Sequence, residues 1–379
     1  MAEEVLKNVL EWCFKNTNIL NAKDNANNGE RFIHIAAENG YVTVIKHLLE
    51  KGVSPDLKED SNGNSPLHIA SEYGHVEVAK LLLQNGADPN SINGDKEPPI
   101  YTSTEEGHAD IINLLIQNGA NVNNLNFDDN QTPLHIAADK GHLEIAKILI
   151  ENGAKLESKQ EDKFTPLHLS ASAGHVELSK LLIQNGAEVD CQNIDLNTPL
   201  ILASLNEHFE IAKVLLENGA NVDISNGSGV NALCKAIDER NVEIVDLLLQ
   251  NGANVNCQTN EKVTPLVLAT TYGHIEITNL LLDNGANLEI SDENELTPLY
   301  SATKYGNVET VNLLLHRGAN VNCESRYKTT PLHCASRFGL TKIAQILIQN
   351  GANINLESTK KITPIHLATA FGRLEIVSV

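Results

Sequence analysis

The sequence predicts an all-α solenoid, a stack of helix-turn-helix units joined by hairpin-like connecting loops. Ten glycines (Gly52, Gly86, Gly119, Gly153, Gly186, Gly219, Gly252, Gly285, Gly318 and Gly351) each close an apolar run, and from Gly153 onward every step is 33 residues. A Thr-Pro-Leu-His-like start stands at a near-fixed distance before each of these runs. Composition is 41% hydrophobic but only 4% aromatic, which suits a core of Ala, Leu, Ile and Val in thin layers. A chain of 379 residues would otherwise suggest two or three globular domains, but a period of this length marks one stacked array.

The stretch Thr165 to Ala187 serves as the type unit. Thr165 is a helix N-cap, and Pro166 takes the first helical position, where its missing N–H costs nothing. Leu167, Ser170 and Ala171 give a short helix a thin apolar face that a neighbour can approach closely. Gly174 ends that helix. His175 and Val176 open a second helix, with Leu178, Leu181, Leu182 and Ile183 at helical spacing up to Gly186. A polar stretch then turns back to the next start.

This unit resembles the ankyrin repeat. Its hallmark Thr-Pro-Leu-His recurs at Thr132 to His135, Thr165 to His168 and Thr330 to His333, with near copies at Ser65 to His68 and Thr363 to His366. The resemblance runs from residue 31 to 379, as ten full repeats and an incomplete eleventh. It implies L-shaped units, hairpin fingers on one side and a concave groove used for protein binding. Residues 1–30 read as a half-repeat cap and its connection: Glu3 to Phe14 align with a second helix alone. At the other end Leu374 to Val379 stop midway through a second helix without a polar cap, as in a fragment or a frayed end. Repeat six carries Glu207 and repeat seven Arg240 in place of the glycine between the helices. Side chains at a positive-φ position carry strain, so these repeats are expected to form a weak seam.

The formal charge of −21 argues against chain-wide affinity for nucleic acid or an anionic membrane. It is unevenly spread: from Tyr300 to Val379 nine Lys or Arg face four Glu, whereas the first 299 residues hold nineteen basic and forty-five acidic side chains. No secretory signal opens the chain, and no run of about 18 apolar residues is present, so membrane insertion is not expected. Cytoplasmic, nuclear or host-delivered placement fits free thiols. Cys191, Cys257 and Cys323 share one repeat position two repeats apart, beyond disulfide reach, and Cys13, Cys234 and Cys334 have no evident partner.

No catalytic or metal constellation emerges, and no cofactor is expected. Six histidines (His34, His68, His135, His168, His333, His366) belong to the first-helix motif, and six (His75, His108, His142, His175, His208, His274) follow the inter-helix position. Spread one per layer, neither set converges on a zinc ion, and hydrogen bonding is their expected role. Gly227-Ser-Gly229 mimics a dinucleotide fingerprint but lacks the strand and crossover helix that such a site needs. Asn90, Asn123, Asn256, Asn322 and Asn355 resemble the hairpin asparagines hydroxylated in animal ankyrin repeats, with satisfaction of turn amides as the simpler role.

The expected function is a non-catalytic protein-interaction scaffold or adaptor that acts as a monomer. The alternative is the recognition arm of a larger enzyme or host-directed effector whose catalytic part lies beyond residue 379. Tyr272, Tyr305, Phe338 and Phe371 recur every 33 residues, each just before the inter-helix glycine, and form an aromatic ladder bordering the groove. Lys304 and Arg337 precede two of them, while Arg326, Tyr327, Lys328, Lys360 and Lys361 fall on hairpin tips. Aromatic and Arg anchors with a basic rim suit an acidic protein segment at repeats eight to eleven. Glu38, Glu72, Glu105, Glu106 and Asp238 mark a second, acidic surface on the earlier groove.

Overall fold

The computed structural model describes residues 4–5, 8, 32–59, 61–126 and 129–378. The expected cap over residues 1–30 and Cys13 lie almost wholly outside them. The described residues form 22 helices, two per repeat, and a single isolated bridge between Ser225 and Asn231 is their strand-like pairing. Two compact units divide the chain, Met1–Ile194 with repeats one to five and Asp195–Val379 with repeats six to eleven. Within each, helix pairs stack in chain order. Inside each unit a first helix packs on its own second helix, and consecutive first helices pack on each other.

Repeat four shows how sequence makes the pair. Thr132 is extended, and its Oγ1 accepts from the His135 backbone N–H, while His135 Nδ1 accepts from the Thr132 N–H at 3.1 Å. This is a capping box in which His replaces the usual Glu. Pro133–Lys140 is the first helix and buries Leu134, Ile136, Ala137 and Ala138. Gly141, at φ 78°, closes it. A Cβ there would meet the His175 ring of the next repeat at 2.5 Å, so glycine is required for room as well as for φ. Leu143–Glu151 is the second helix and buries Ile145, Ala146, Ile148 and Leu149, each large side chain contributing roughly 2 kcal/mol. It ends in a Schellman turn, with Ala154 N–H on Leu149 O at 2.9 Å.

Polar side chains fasten neighbouring repeats in three recurring ways. The capping-box histidine donates forward through Nε2 to the carbonyl preceding the next repeat: His68 to Glu97 O, His135 to Phe164 O and His333 to Ile362 O, at 2.9 to 3.1 Å. The inter-helix histidine donates backward to the end of the previous first helix: His75 to Glu38 O, His108 to Glu72 O, His142 to Glu105 O and His175 to Asp139 O. The third fastening is the hairpin asparagine. Asn123 Nδ2 donates to Gly153 O at 3.0 Å while its Oδ1 accepts from Lys155 N–H at 2.9 Å, and Asn90, Asn256 and Asn322 repeat the arrangement.

The second unit departs from this scheme in repeats six to eight. Ile201, Cys234 and Val267 stand where the forward-donating histidine would be. Asn241 caps its own helix, accepting from Ile244 N–H at 2.9 Å. His274 Nε2 is buried without a hydrogen-bond partner. Beyond them, fastening resumes with other residues. Asn307 donates to Thr270 O and Thr271 O, Tyr300 Oη pairs with Thr329 Oγ1 at 2.9 Å, and Arg373 Nε donates to Arg337 O.

Glu207 and Arg240 both sit at φ 61°, the left-handed region expected of them. A second set of left-handed residues is not signalled by glycine: Lys96, Asn130, Lys163, Leu196, Lys262, Glu295, Lys328 and Lys361, each two residues before a repeat start. The cysteine expectation needs one correction. All five described cysteines are free thiols, yet Cys234 and Cys257 are brought together on Asn231, because the connection after a repeat folds back over its first helix.

Candidate functional site

The first helices of repeats nine to eleven and the connections beside them enclose a cleft of about 770 Å³. Tyr300, His333, Cys334 and Leu367 come from the helices, and Tyr327, Thr329, Ser358, Lys360 and Ile362 from the loops. The polar groups of the floor are satisfied internally. Tyr300 Oη, Thr329 Oγ1 and Ser325 Oγ form a hydroxyl chain at 2.9 and 2.6 Å, and His333 is held at both ring nitrogens. Burial raises the Tyr300 phenol above its ordinary value and pushes the Cys334 thiol up to about 11, so neither ionises near neutrality. The same cause holds His333 below its usual range, as a neutral donor.

The free charges at the cleft are cationic. Lys304, Arg337 and Lys360 line it, no carboxylate does, and among the described residues none of the three forms an ion pair. Aromatic rings flank the cations. Lys304 Nζ lies 5.4 Å from the Tyr305 ring centroid, and the Arg337 guanidinium lies 5.8 Å from Phe338 and 5.6 Å from Phe371. An anionic group entering here meets exposed positive charge held beside exposed apolar rings.

Of the residues singled out in the sequence, Lys304, Tyr327, Arg337, Phe338 and Lys360 line this cleft. Tyr272, Tyr305 and Phe371 are about half exposed at the ends of their first helices, and Tyr272 stacks on His274 with ring centroids 5.4 Å apart. Arg326 is tied back to the previous hairpin, its Nη2 donating to Glu293 O at 2.6 Å. Lys328 and Lys361 occupy the left-handed hairpin position. Tyr300 was missed, although it fills the register position of the capping-box histidine. Tyr73, exposed before Gly74 in repeat two, shares the position of the aromatic ladder and was also missed.

The acidic residues divide between the two units. Glu38, Glu72, Glu105 and Glu106 gather in the first, where burial and then the charges of Glu106, Glu59, Glu38 and Glu105 raise the Glu72 carboxyl above its ordinary value. Asp238 lies in the second unit, 3.9 Å from Lys235, raised by burial against the pull of that lysine. Among the described residues no group of three or more His, Cys, Asp or Glu could hold a metal ion, and no helix is long and apolar enough to cross a membrane.

Stacked helix pairs with polar fastenings between layers and an exposed cleft across three of them define an all-α repeat protein. The family model of ankyrin repeats (three copies) matches residues 2–93, 90–160, 154–226, 233–325, 286–358 and 320–379. The chain belongs to the ankyrin-repeat family, whose repeats are generally protein-interaction modules and typically non-catalytic. No match was found among curated proteins.

Proposed function

We propose that this chain is a non-catalytic scaffold or adaptor that captures an acidic segment of a partner protein in the cleft of repeats nine to eleven. The observation that carries this reading is the trio Lys304, Arg337 and Lys360, set among Tyr305, Tyr327, Phe338 and Phe371 with no lining carboxylate. Lys304 and Arg337 lie beside aromatic rings that limit where the cations sit, so they present positive charge to Asp or Glu in a defined place. The rings supply large, rigid contact area at low entropic cost. Tyr272 extends the apolar ridge into repeat eight, and Lys328 and Lys361 add positive charge at the hairpin tips.

A displayed library of random peptides tests the reading. Peptides selected on the wild-type protein should be enriched in Asp and Glu beside apolar residues. Tyr305→Ala with Phe338→Ala should weaken their binding by about 2 kcal/mol or more while helical content is kept. Selection of neutral or basic peptides, or unchanged affinity in the folded double variant, would move the site elsewhere.

A further inference from the structure

The connection after each repeat folds back over the repeat's first helix, in a register that the sulfur contacts reveal. In repeat five, Cys191 Sγ lies 3.4 Å from the N-cap Thr165 Oγ1 and 3.5 Å from Nδ1 of His168. In repeat nine, Thr297 Oγ1 donates to Cys323 Sγ at 3.0 Å. Repeat seven keeps this geometry with different residues. The N-cap is Asn231, whose Oδ1 accepts from Cys234 N–H at 3.1 Å and whose Nδ2 donates to Cys257 Sγ at 3.4 Å. Cys234 takes the place of His168 and Cys257 that of Cys191. One carboxamide thus holds the Cys234 backbone and the Cys257 sulfur.

We propose that Cys234 and Cys257 are a reversible thiol–disulfide site, with Cys257 the thiol that meets a hydroperoxide and Cys234 the thiol that closes the bond. Cys234 is buried at 2% exposure, whereas Cys257 is half-buried and open to a small oxidant. The two thiols are electrostatically unequal. The Cys234 S–H and then Asn231 Nδ2–H hydrogen-bond to Cys257 and hold its thiol below the ordinary range despite burial. The same contact, with burial, holds Cys234 well above it. Cys191, Cys323 and Cys334 each have one hydroxyl neighbour, yet burial pushes them up to about 11 or 12, which singles out Cys257 among the described cysteines as the nucleophile.

The chemistry balances with hydrogen peroxide or an alkyl hydroperoxide as oxidant. Cys257 thiolate attacks the distal peroxide oxygen, the O–O bond breaks, and the leaving hydroxide or alkoxide takes a proton. Cys257 becomes a sulfenic acid. Cys234 sulfur then attacks the Cys257 sulfur, its own proton goes to the departing hydroxyl, and water leaves as the S–S bond forms. Two thiols are oxidised by two electrons, and the peroxide is reduced to two waters, or to water and an alcohol. The bond would join the first helix of repeat seven to the connection that follows it, where Cys234 replaces the forward-donating histidine.

The test treats the native full-length protein with a small excess of hydrogen peroxide, then denatures and alkylates it. Two thiols should be lost, non-reducing peptide mapping should find Cys234 linked to Cys257, and dithiothreitol should restore both. In Cys234→Ser, dimedone should trap Cys257 as a sulfenic acid, while Cys334→Ser leaves the cross-link intact. Full alkylation of both cysteines, over-oxidation of Cys257 with Cys234 still free, or a cross-link to another cysteine would overturn the proposal. The wild-type peptide map decides alone if Cys234→Ser fails to fold.

Discussion

His274 and Arg240 face each other where four earlier repeats pair a histidine with a glycine. In those four, Gly40, Gly74, Gly107 and Gly141 leave room for the rings of His75, His108, His142 and His175, which reach back to a helix-end carbonyl. Against Arg240 the reach fails, and His274 Nε2 is left buried without a partner. Burial, and then the Arg240 cation, hold its imidazole below the usual range. The guanidinium thus removes a hydrogen bond between repeats seven and eight and also opposes protonation of the ring left behind.

Local opening should follow from that defect. Amide exchange is expected to be faster in repeats six to eight than in repeats nine and ten, because Ile201, Cys234 and Val267 offer no forward donor and His274 Nε2 is unbonded. Glu207→Gly and Arg240→Gly should each raise stability by about 1 kcal/mol by relieving a left-handed side chain. Arg240→Gly should also bring His274 onto the preceding helix end. Exchange profiles with repeats six and seven as the best protected would contradict this account.

Acid should weaken the first unit through its buried histidines. Burial, opposed in part by carbonyl hydrogen bonds, lowers His68 and His135 from 6.5 to about 4. Each accepts an N-cap N–H at Nδ1, so a second proton would break the capping box. Between pH 6.5 and about 4 the unfolded chain binds more protons than the folded one. Stability is therefore complete above pH 6.5 and falls as pH drops through this window, by on the order of 3 kcal/mol per histidine. Denaturant midpoints at pH 7 and pH 5 check the sign, and His135→Gln should flatten the slope.

The hairpin asparagines should behave as clamps. Asn123→Ala removes a donor to Gly153 O and an acceptor for Lys155 N–H, and should cost about 1 to 2 kcal/mol by urea denaturation. Asn123→Asp keeps only the acceptor and should cost less than the alanine variant.

Charge at the cleft should tune association more than stability. Arg337→Glu with Lys360→Glu should slow binding of acidic peptides at least tenfold at low salt, and the difference should shrink as ionic strength rises. Stopped-flow association at two salt concentrations reads this directly. A salt-independent rate in the wild type would argue against steering.

The helix pairs were legible because their signals are local: Thr132-Pro133 caps a start and Gly141 marks a stop. The left-handed hairpin residues were not, since Lys163 and Lys262 hold a position that only Gly63 and Gly229 advertise by residue type. Within the cleft, the 33-residue recurrence of Tyr305, Phe338 and Phe371 exposed the ridge. Tyr300 stayed hidden because it takes the register position of a histidine, and only the folded connection beside it makes that position a cleft wall. The Cys234–Cys257 contact escaped because their spacing of 23 residues follows the fold-back of a loop, not the period of the stack.

The fastenings also govern which repeats are interchangeable. Repeats two, four and five present nearly the same histidines and the same apolar helix faces, so one could dock against a neighbour's partner with little loss, an opening for misassembly during folding. Repeats eight to eleven are joined by Asn307, Tyr300 and Arg373, each used once. Their order is written into unlike bonds, and the cleft is built where a shuffled neighbour would leave a donor unanswered.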